Sequence, residues 1–121
     1  MEKVLSKGLR ITLLVYTIYS IGYGLIHVIS PKAVGAVDPA IERVLGAAFL
    51  AFAIGAWFAY QTKNWKDAQY LVLVQLVWMI LYTITMVWGL LSGGIVQLAW
   101  APAIIGAIFS VIFLVLYVRG E

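Results

Sequence analysis

Long apolar runs without charged residues dominate this chain. Residues 11–31, 44–62 and 68–118 contain no Asp, Glu, Lys or Arg. A helix needs about 20 apolar residues to cross a bilayer, so the first two runs each match one crossing and the third matches two. The runs also lack the apolar-polar alternation of membrane β-barrel strands, and four strands cannot close a barrel. The pattern therefore predicts an all-α fold, a four-helix transmembrane bundle.

Turn-forming residues predict where each helix begins and ends. Pro31 disfavours a helical residue before it, which ends the first helix at Ser30. Asp38-Pro39 predicts an N-cap followed by proline at the first helical position, and Ser92-Gly93-Gly94 predicts a turn within the longest run. A single membrane domain, 1–121, is expected, with helices at residues 8–30, 39–61, 66–91 and 95–118.

Three short patterns recur in the halves of the chain and predict two helical hairpins with the same orientation. Chance similarity within a restricted apolar alphabet is the alternative. The pairs are Gly24-Leu25 with Gly89-Leu90, Pro39-Ala40-Ile41 with Pro102-Ala103-Ile104, and Gly46-Ala47 with Gly106-Ala107.

Composition and charge distribution place the chain in a membrane and predict its orientation. Hydrophobic residues make up 64% and charged residues 11%, whereas a soluble domain is about a quarter charged. The net charge of +3 is dispersed, which favours lipid headgroups over nucleic acid as the partner. Lys32 and Arg43 flank the first loop, against six basic residues at the termini and second loop, so we expect an inner-membrane protein with both termini cytoplasmic. The six are Lys3, Lys7, Arg10, Lys63, Lys66 and Arg119.

The residue counts limit the kinds of chemical site that the chain can form. The chain has no cysteine and one histidine, which excludes disulfides, a zinc cage and haem held by two histidines. Phosphate-binding glycine loops, nucleophile elbows and paired carboxylates within a span are absent from the sequence. We therefore expect no metal and no cofactor, and the sequence favours a role other than catalysis.

Polar side chains recur at helical spacing within the first and third predicted helices. The first carries Tyr16, Ser20, Tyr23 and His27, and the third carries Gln75, Trp78, Tyr82 and Thr85. Hydrocarbon offers these groups no hydrogen-bond partner, so the stripes should face each other or a cavity. Tyr16, Tyr23, Gln75 and Tyr82 form the candidate interior polar cluster, which either lines a pocket for a lipophilic molecule or forms a hydrogen-bonded seam between helices.

Two further features are candidates for function. His27 and Glu42 lie near the predicted outer surface, at similar depth on antiparallel neighbours, and form either a structural clasp or an ionisable functional pair. The second helix carries small residues at spacing four, which predicts a helix-packing face within the monomer or toward a partner. Its members are Ala47, Ala51, Gly55 and Ala59.

Residues 22–60 resemble a known group of membrane proteins. Their order is a glycine-rich helix end, Pro31, a short loop, Asp38-Pro39 and then residues 42–48, which read ERVLGAA. This order resembles the DoxX-like group of small four-helix prokaryotic membrane proteins. The resemblance covers about a third of the chain. It implies a compact bundle, sometimes associated with membrane redox systems, and carries over no catalytic residue.

Two functional hypotheses follow. The leading one is a non-catalytic membrane subunit or small-oligomer component, accessory to a larger membrane complex and surrounded by lipids, partner subunits or further copies of itself. The alternative is binding or transport of a lipophilic small molecule such as a quinone or a lipid. A fully hydrogen-bonded interior favours the first hypothesis, because a ligand site needs placed polar groups with room beside them.

Overall fold

The computed structural model of the chain describes residues 3–30, 39–92 and 100–120. The described residues form four helices: α1 (Lys7–Ile29), α2 (Pro39–Gln61), α3 (Trp65–Leu91) and α4 (Trp100–Arg119). Each helix is long and apolar enough to cross a membrane, which confirms the predicted four-helix transmembrane fold. The predicted turn residues Pro31, Asp38, Gly93 and Gly94 lie outside the described residues, as do residues 95–99 of the fourth predicted helix.

The helices alternate in direction around the bundle. Helix α1 packs most extensively on α2, and α3 on α4, while α2 joins the two hairpins by packing on α3. Contact between α1 and α4 is the least extensive of the four neighbouring pairs. The start of α1 and the end of α4 therefore lie at one end, which we call the terminal end, and the end of α1 and the end of α3 lie at the opposite end. Two hairpins are evident, and their origin by duplication stays a prediction.

The contact between α1 and α2 is closest at two glycines. A Cβ atom on Gly46 would lie 2.7 Å from the Gly24 carbonyl oxygen and 2.8 Å from the His27 Cβ. A Cβ on Gly24 would in turn lie 2.9 Å from the Gly46 carbonyl oxygen. Neither position has room for a side chain, so the two backbones touch directly, as small residues allow in membrane helices.

The predicted small-residue face of α2 is not a single packing face. Ala47 and Ala51 are exposed, Gly55 is partly buried and only Ala59 is fully buried. Each step of four residues turns about 40° beyond a full helical turn, so three steps rotate the series from the surface into the core. Spacings of three and four follow the buried side more closely, at Gly46, Phe49, Ala53, Ala56 and Ala59.

The terminal end is closed by hydrogen bonds between distant segments of the chain. Val4 pairs with Asn64 in the connection between α2 and α3. The Arg10 guanidinium donates to the carbonyl oxygens of Tyr60 at 3.2 Å and Thr62 at 3.0 Å. Tyr60 lies in the last turn of α2 and Thr62 directly follows the helix. Carbonyl oxygens at a helix end have no partner within the helix, so Arg10 supplies the missing donors.

We predict that Gly46→Ala lowers the free energy of unfolding by about 1–3 kcal/mol, because the added methyl group forces two backbones apart. Gly22→Ala is the matched control, since a Cβ there meets nothing within 4 Å. The control should unfold at the same temperature as the native chain or slightly above it, since alanine favours helix. Thermal unfolding in one detergent measures both variants, and equal stabilities would contradict the close crossing.

Candidate functional site

A row of ring side chains follows the inner face of α1. Tyr16, Tyr19, Tyr23 and His27 recur every three or four residues, so they share one face over about 16 Å of the helix. Tyr16 is completely buried and His27 is 2% exposed. Tyr19 stacks on Tyr23 with ring centroids 5.5 Å apart, and Tyr23 lies 4.1 Å from the His27 ring. The row leads from the middle of α1 to the opposite end.

His27 and Glu42 meet at the opposite end. The His27 Nε2 atom lies 3.2 Å from the Glu42 Oε2 atom, and the Nδ1 atom lies 2.8 Å from the backbone oxygen of Tyr23. Glu42 sits in the first turn of α2, where the helix dipole favours a carboxylate. Arg43 is engaged elsewhere, because its Nε donates to the Val28 oxygen at 3.3 Å.

Tyr23 and Tyr82 join α1 to α3 across the bundle. Their hydroxyl oxygens lie 3.2 Å apart, within hydrogen-bond distance. The Phe49 ring of α2 packs edge-on against both tyrosines, with centroids 4.8 Å from Tyr23 and 5.1 Å from Tyr82. Three helices thus contribute to the contacts of this tyrosine pair, and its Tyr23 ring lies next to the His27 ring.

The predicted interior cluster divides into separate contacts. Tyr16 lies seven residues before Tyr23, about 10 Å along the helix, and packs edge-on against Phe109 and Phe113 of α4. The Gln75 side-chain nitrogen donates to the Phe52 oxygen of α2 at 3.0 Å. The structure therefore brings Tyr23 and Tyr82 together but does not bring Tyr16 or Gln75 to them. Thr85, from the same predicted stripe, is exposed.

Several interior polar groups lack a partner. On α1, the hydroxyls of Tyr16, Tyr19 and Ser20 are buried without a hydrogen bond of 3.5 Å or less among the described residues, and those of Tyr16 and Ser20 lie within reach of each other; we call these three the hydroxyl cluster. Three atoms of α3 share this condition in the described part of the chain: Gln75 Oε1, Trp78 Nε1 and Thr83 Oγ1. A buried polar group without a partner costs free energy, so these atoms would be stabilised by a bound polar group or by water.

The hydroxyl cluster borders an aromatic wall on α4. Phe109 lies 5.2 Å from the Tyr16 ring and 5.7 Å from the Tyr19 ring, measured between centroids. Phe113 packs parallel to Phe109, 6.2 Å away. Hydroxyls beside flat apolar rings suit a ligand that has an aromatic or quinonoid body and an oxygen acceptor. Over the residues described, no group of three or more His, Asp or Glu side chains is placed to hold a metal ion.

Sequence patterns missed part of this arrangement. Tyr19 was outside the predicted stripe although it lies three residues after Tyr16 and four before Tyr23, which is the signal that would have included it. Phe109 and Phe113 are four residues apart on α4, but one aromatic pair in an apolar helix does not indicate which neighbour it faces. That information comes only from the packing of α4 on α1.

Comparison of this chain with protein-family models, with curated proteins and with solved structures finds no match. Function is therefore inferred from side-chain chemistry and helix packing alone.

We predict opposite effects on stability for two tyrosine-to-phenylalanine substitutions. Tyr23→Phe removes the partner of the Tyr82 hydroxyl and should cost about 1–2 kcal/mol of unfolding free energy. Tyr16→Phe removes a buried hydroxyl that lies near Ser20 but makes no hydrogen bond of 3.5 Å or less within the described residues, so the ligand-free protein should be equally stable or more stable. Thermal unfolding of delipidated samples compares the two variants, and equal destabilisation would contradict the assigned hydrogen bonding.

Proposed function

We propose that this integral membrane protein binds a lipophilic small molecule that carries an oxygen acceptor, with a quinone or a lipid as the chemical class. The observation that carries the proposal is the hydroxyl cluster. Its three buried hydroxyls lie within two turns near the middle of α1 and make no hydrogen bond of 3.5 Å or less in the part of the chain that is described. The Tyr16 and Ser20 hydroxyls are within reach of each other, but even a pair of hydroxyls leaves one donor unused. A packed structural interior would be expected to pair such groups, because buried polar groups in proteins are nearly always hydrogen-bonded.

The chemistry of the cluster favours an acceptor over a cation. Each hydroxyl can donate one hydrogen bond, so hydroxyls of the cluster can supply donors to the lone pairs of a carbonyl or ester oxygen. The Phe109 and Phe113 rings provide apolar contact for the body of such a molecule. Each hydrogen bond recovered on binding is worth about 0.5–1.5 kcal/mol, so the cluster favours a ligand bearing polar oxygen over plain hydrocarbon.

Helix packing supports a route from the lipid phase. The cluster lies on α1. The contact between α1 and α4 is less extensive than the contact between any other neighbouring pair of helices. Tyr19, at the edge of the cluster, is only partly buried. A flat lipophilic molecule would enter between α1 and α4 without crossing the closed terminal end. This lateral entry avoids the aqueous phases, as a bilayer-soluble ligand requires.

A membrane subunit is the second candidate function, and the outward position of two small residues favours it. Ala47 and Ala51 are exposed one turn apart on α2, so a helix of another chain has room to approach there. A partner subunit or a second copy would occupy this surface. The DoxX-like assignment is a proposal compatible with either function.

We further propose an inner-membrane location with both termini cytoplasmic. Basic side chains concentrate at the terminal end, where Lys3, Lys7, Lys63, Lys66 and Arg119 are exposed. Cytoplasmic loops are enriched in Lys and Arg, and anionic headgroups attract such residues. The oriented bundle would place Glu42 at the outer surface.

Native mass spectrometry after extraction in a mild detergent tests ligand binding. We expect the chain to carry a small molecule, and a short-chain benzoquinone added to delipidated protein should bind in its place. The double variant Tyr16→Phe, Ser20→Ala keeps the ring and removes two hydroxyls, so binding of this probe should weaken about tenfold or more. Tyr70→Phe is the control, because Tyr70 is 70% exposed and lies near the terminal end.

Equal probe binding in the double variant and the control would overturn the hydroxyl cluster as the site. A chain that instead retains a second polypeptide, and loses it on Ala51→Leu, would establish the subunit function in place of ligand binding.

Single cysteines test the orientation, since the native chain has none. In intact cells, a Lys66→Cys variant should resist an impermeant thiol reagent and react only after lysis. A Ser92→Cys variant at the opposite end should react without lysis. Labelling of Lys66→Cys alone in intact cells would reverse the proposed topology.

A further inference from the structure

The hydrogen bonds around His27 determine where its protons lie. A carbonyl oxygen only accepts, so the 2.8 Å contact with the Tyr23 oxygen requires a proton on Nδ1. The Nε2 atom lies 3.2 Å from Glu42 Oε2. If both atoms were unprotonated, two lone pairs would face each other at this distance without a hydrogen between them. The contact therefore contains one proton, carried on Nε2 or on the Glu42 carboxyl.

We infer that His27 and Glu42 form a proton-binding site, which takes up and releases one proton at the opposite end of the bundle. The two side chains differ in their exposure, as such a site requires. The His27 side chain is 3% exposed and is fixed by its contact with the Tyr23 backbone, whereas the Glu42 side chain is 26% exposed and reaches the surface. Glu42 is thus the group through which protons exchange with water.

Proton uptake is balanced by simple acid-base chemistry. A hydronium ion loses one O–H bond and becomes water, while an N–H bond forms at Nε2 or an O–H bond forms at the carboxyl. The pair changes from a net charge of −1 to zero. Loss of that proton removes the attraction between the two side chains and leaves the Glu42 carboxylate to turn toward water.

Few other charges face the site. On α1 the nearest titratable group is Tyr23, and on α3 it is Tyr82, hydrogen-bonded to Tyr23. On α2, Arg43 is adjacent in sequence but donates to the Val28 oxygen. The described part of α4 carries its titratable residues, Tyr117 and Arg119, at the terminal end. Within the described residues, the groups that face the His27–Glu42 pair are therefore the tyrosine pair and Arg43.

His27 is the single histidine of the chain, so protein grown with ¹⁵N-histidine reports this site alone. Nitrogen NMR of the protein in lipid nanodiscs would be recorded over a pH series. We expect Nδ1 to stay protonated throughout and Nε2 to lose its proton once, so that the neutral ring is the Nδ1–H form. Infrared spectroscopy of the carboxyl band follows the same proton when it resides on Glu42.

Substitution of Glu42 distinguishes a proton that is held by the His27–Glu42 pair from one that is held by His27 alone. Glu42→Gln should displace the pH at which Nε2 changes protonation and abolish any titrating carboxyl band from this site. Asp67→Asn is the matched control, because it makes the same charge change in the first turn of α3, at the terminal end, and should leave both signals unchanged. A neutral Nε2–H ring in the native protein, or identical titrations in Glu42→Gln and the native chain, would overturn the proton site.

Discussion

The structure depends on one constraint: inside hydrocarbon, a polar group can be satisfied only by another group of the protein. Helices meet this constraint for the backbone, and side chains meet it where helices end. Ser6 Oγ accepts from the Leu9 nitrogen at the start of α1, and Arg10 donates to two carbonyl oxygens at the end of α2. These hydrogen bonds take the place of hydrogen bonds to water and hold the terminal end together.

Close packing at glycine places the ionisable pair. Gly46 lies four residues after Glu42, so both residues share the face of α2 that meets α1. The missing side chain lets the α2 backbone come against His27, and the imidazole then lies within reach of the carboxyl group. A bulkier residue at Gly46 would separate the helices and, with them, the two groups that share a proton.

The same constraint applies to the hydroxyl cluster. Where α1 meets α2 and α3, its polar groups find partners, as Tyr23 does with Tyr82. Where α1 meets α4, contact is sparse, and in the described structure the hydroxyls of Tyr16 and Tyr19, whose rings lie beside Phe109, make no hydrogen bond of 3.5 Å or less. These hydroxyls therefore carry a cost of burial that the Tyr23–Tyr82 contact avoids.

The four-helix transmembrane fold and the candidate contact between His27 and Glu42 are predictable from the sequence. Apolar runs of sufficient length have one stable form in a bilayer, and antiparallel neighbours bring equal depths together. The inward face of each helix is not predictable in this way, because it depends on how the helices pack. A spacing of four drifts around the helix, so Ala47 and Ala51 point outward while Gly46 is buried. Likewise, Tyr16 contacts α4 whereas Tyr23 contacts α3. This difference follows from how the helices are rotated against one another, and helical periodicity within a single span does not specify that rotation.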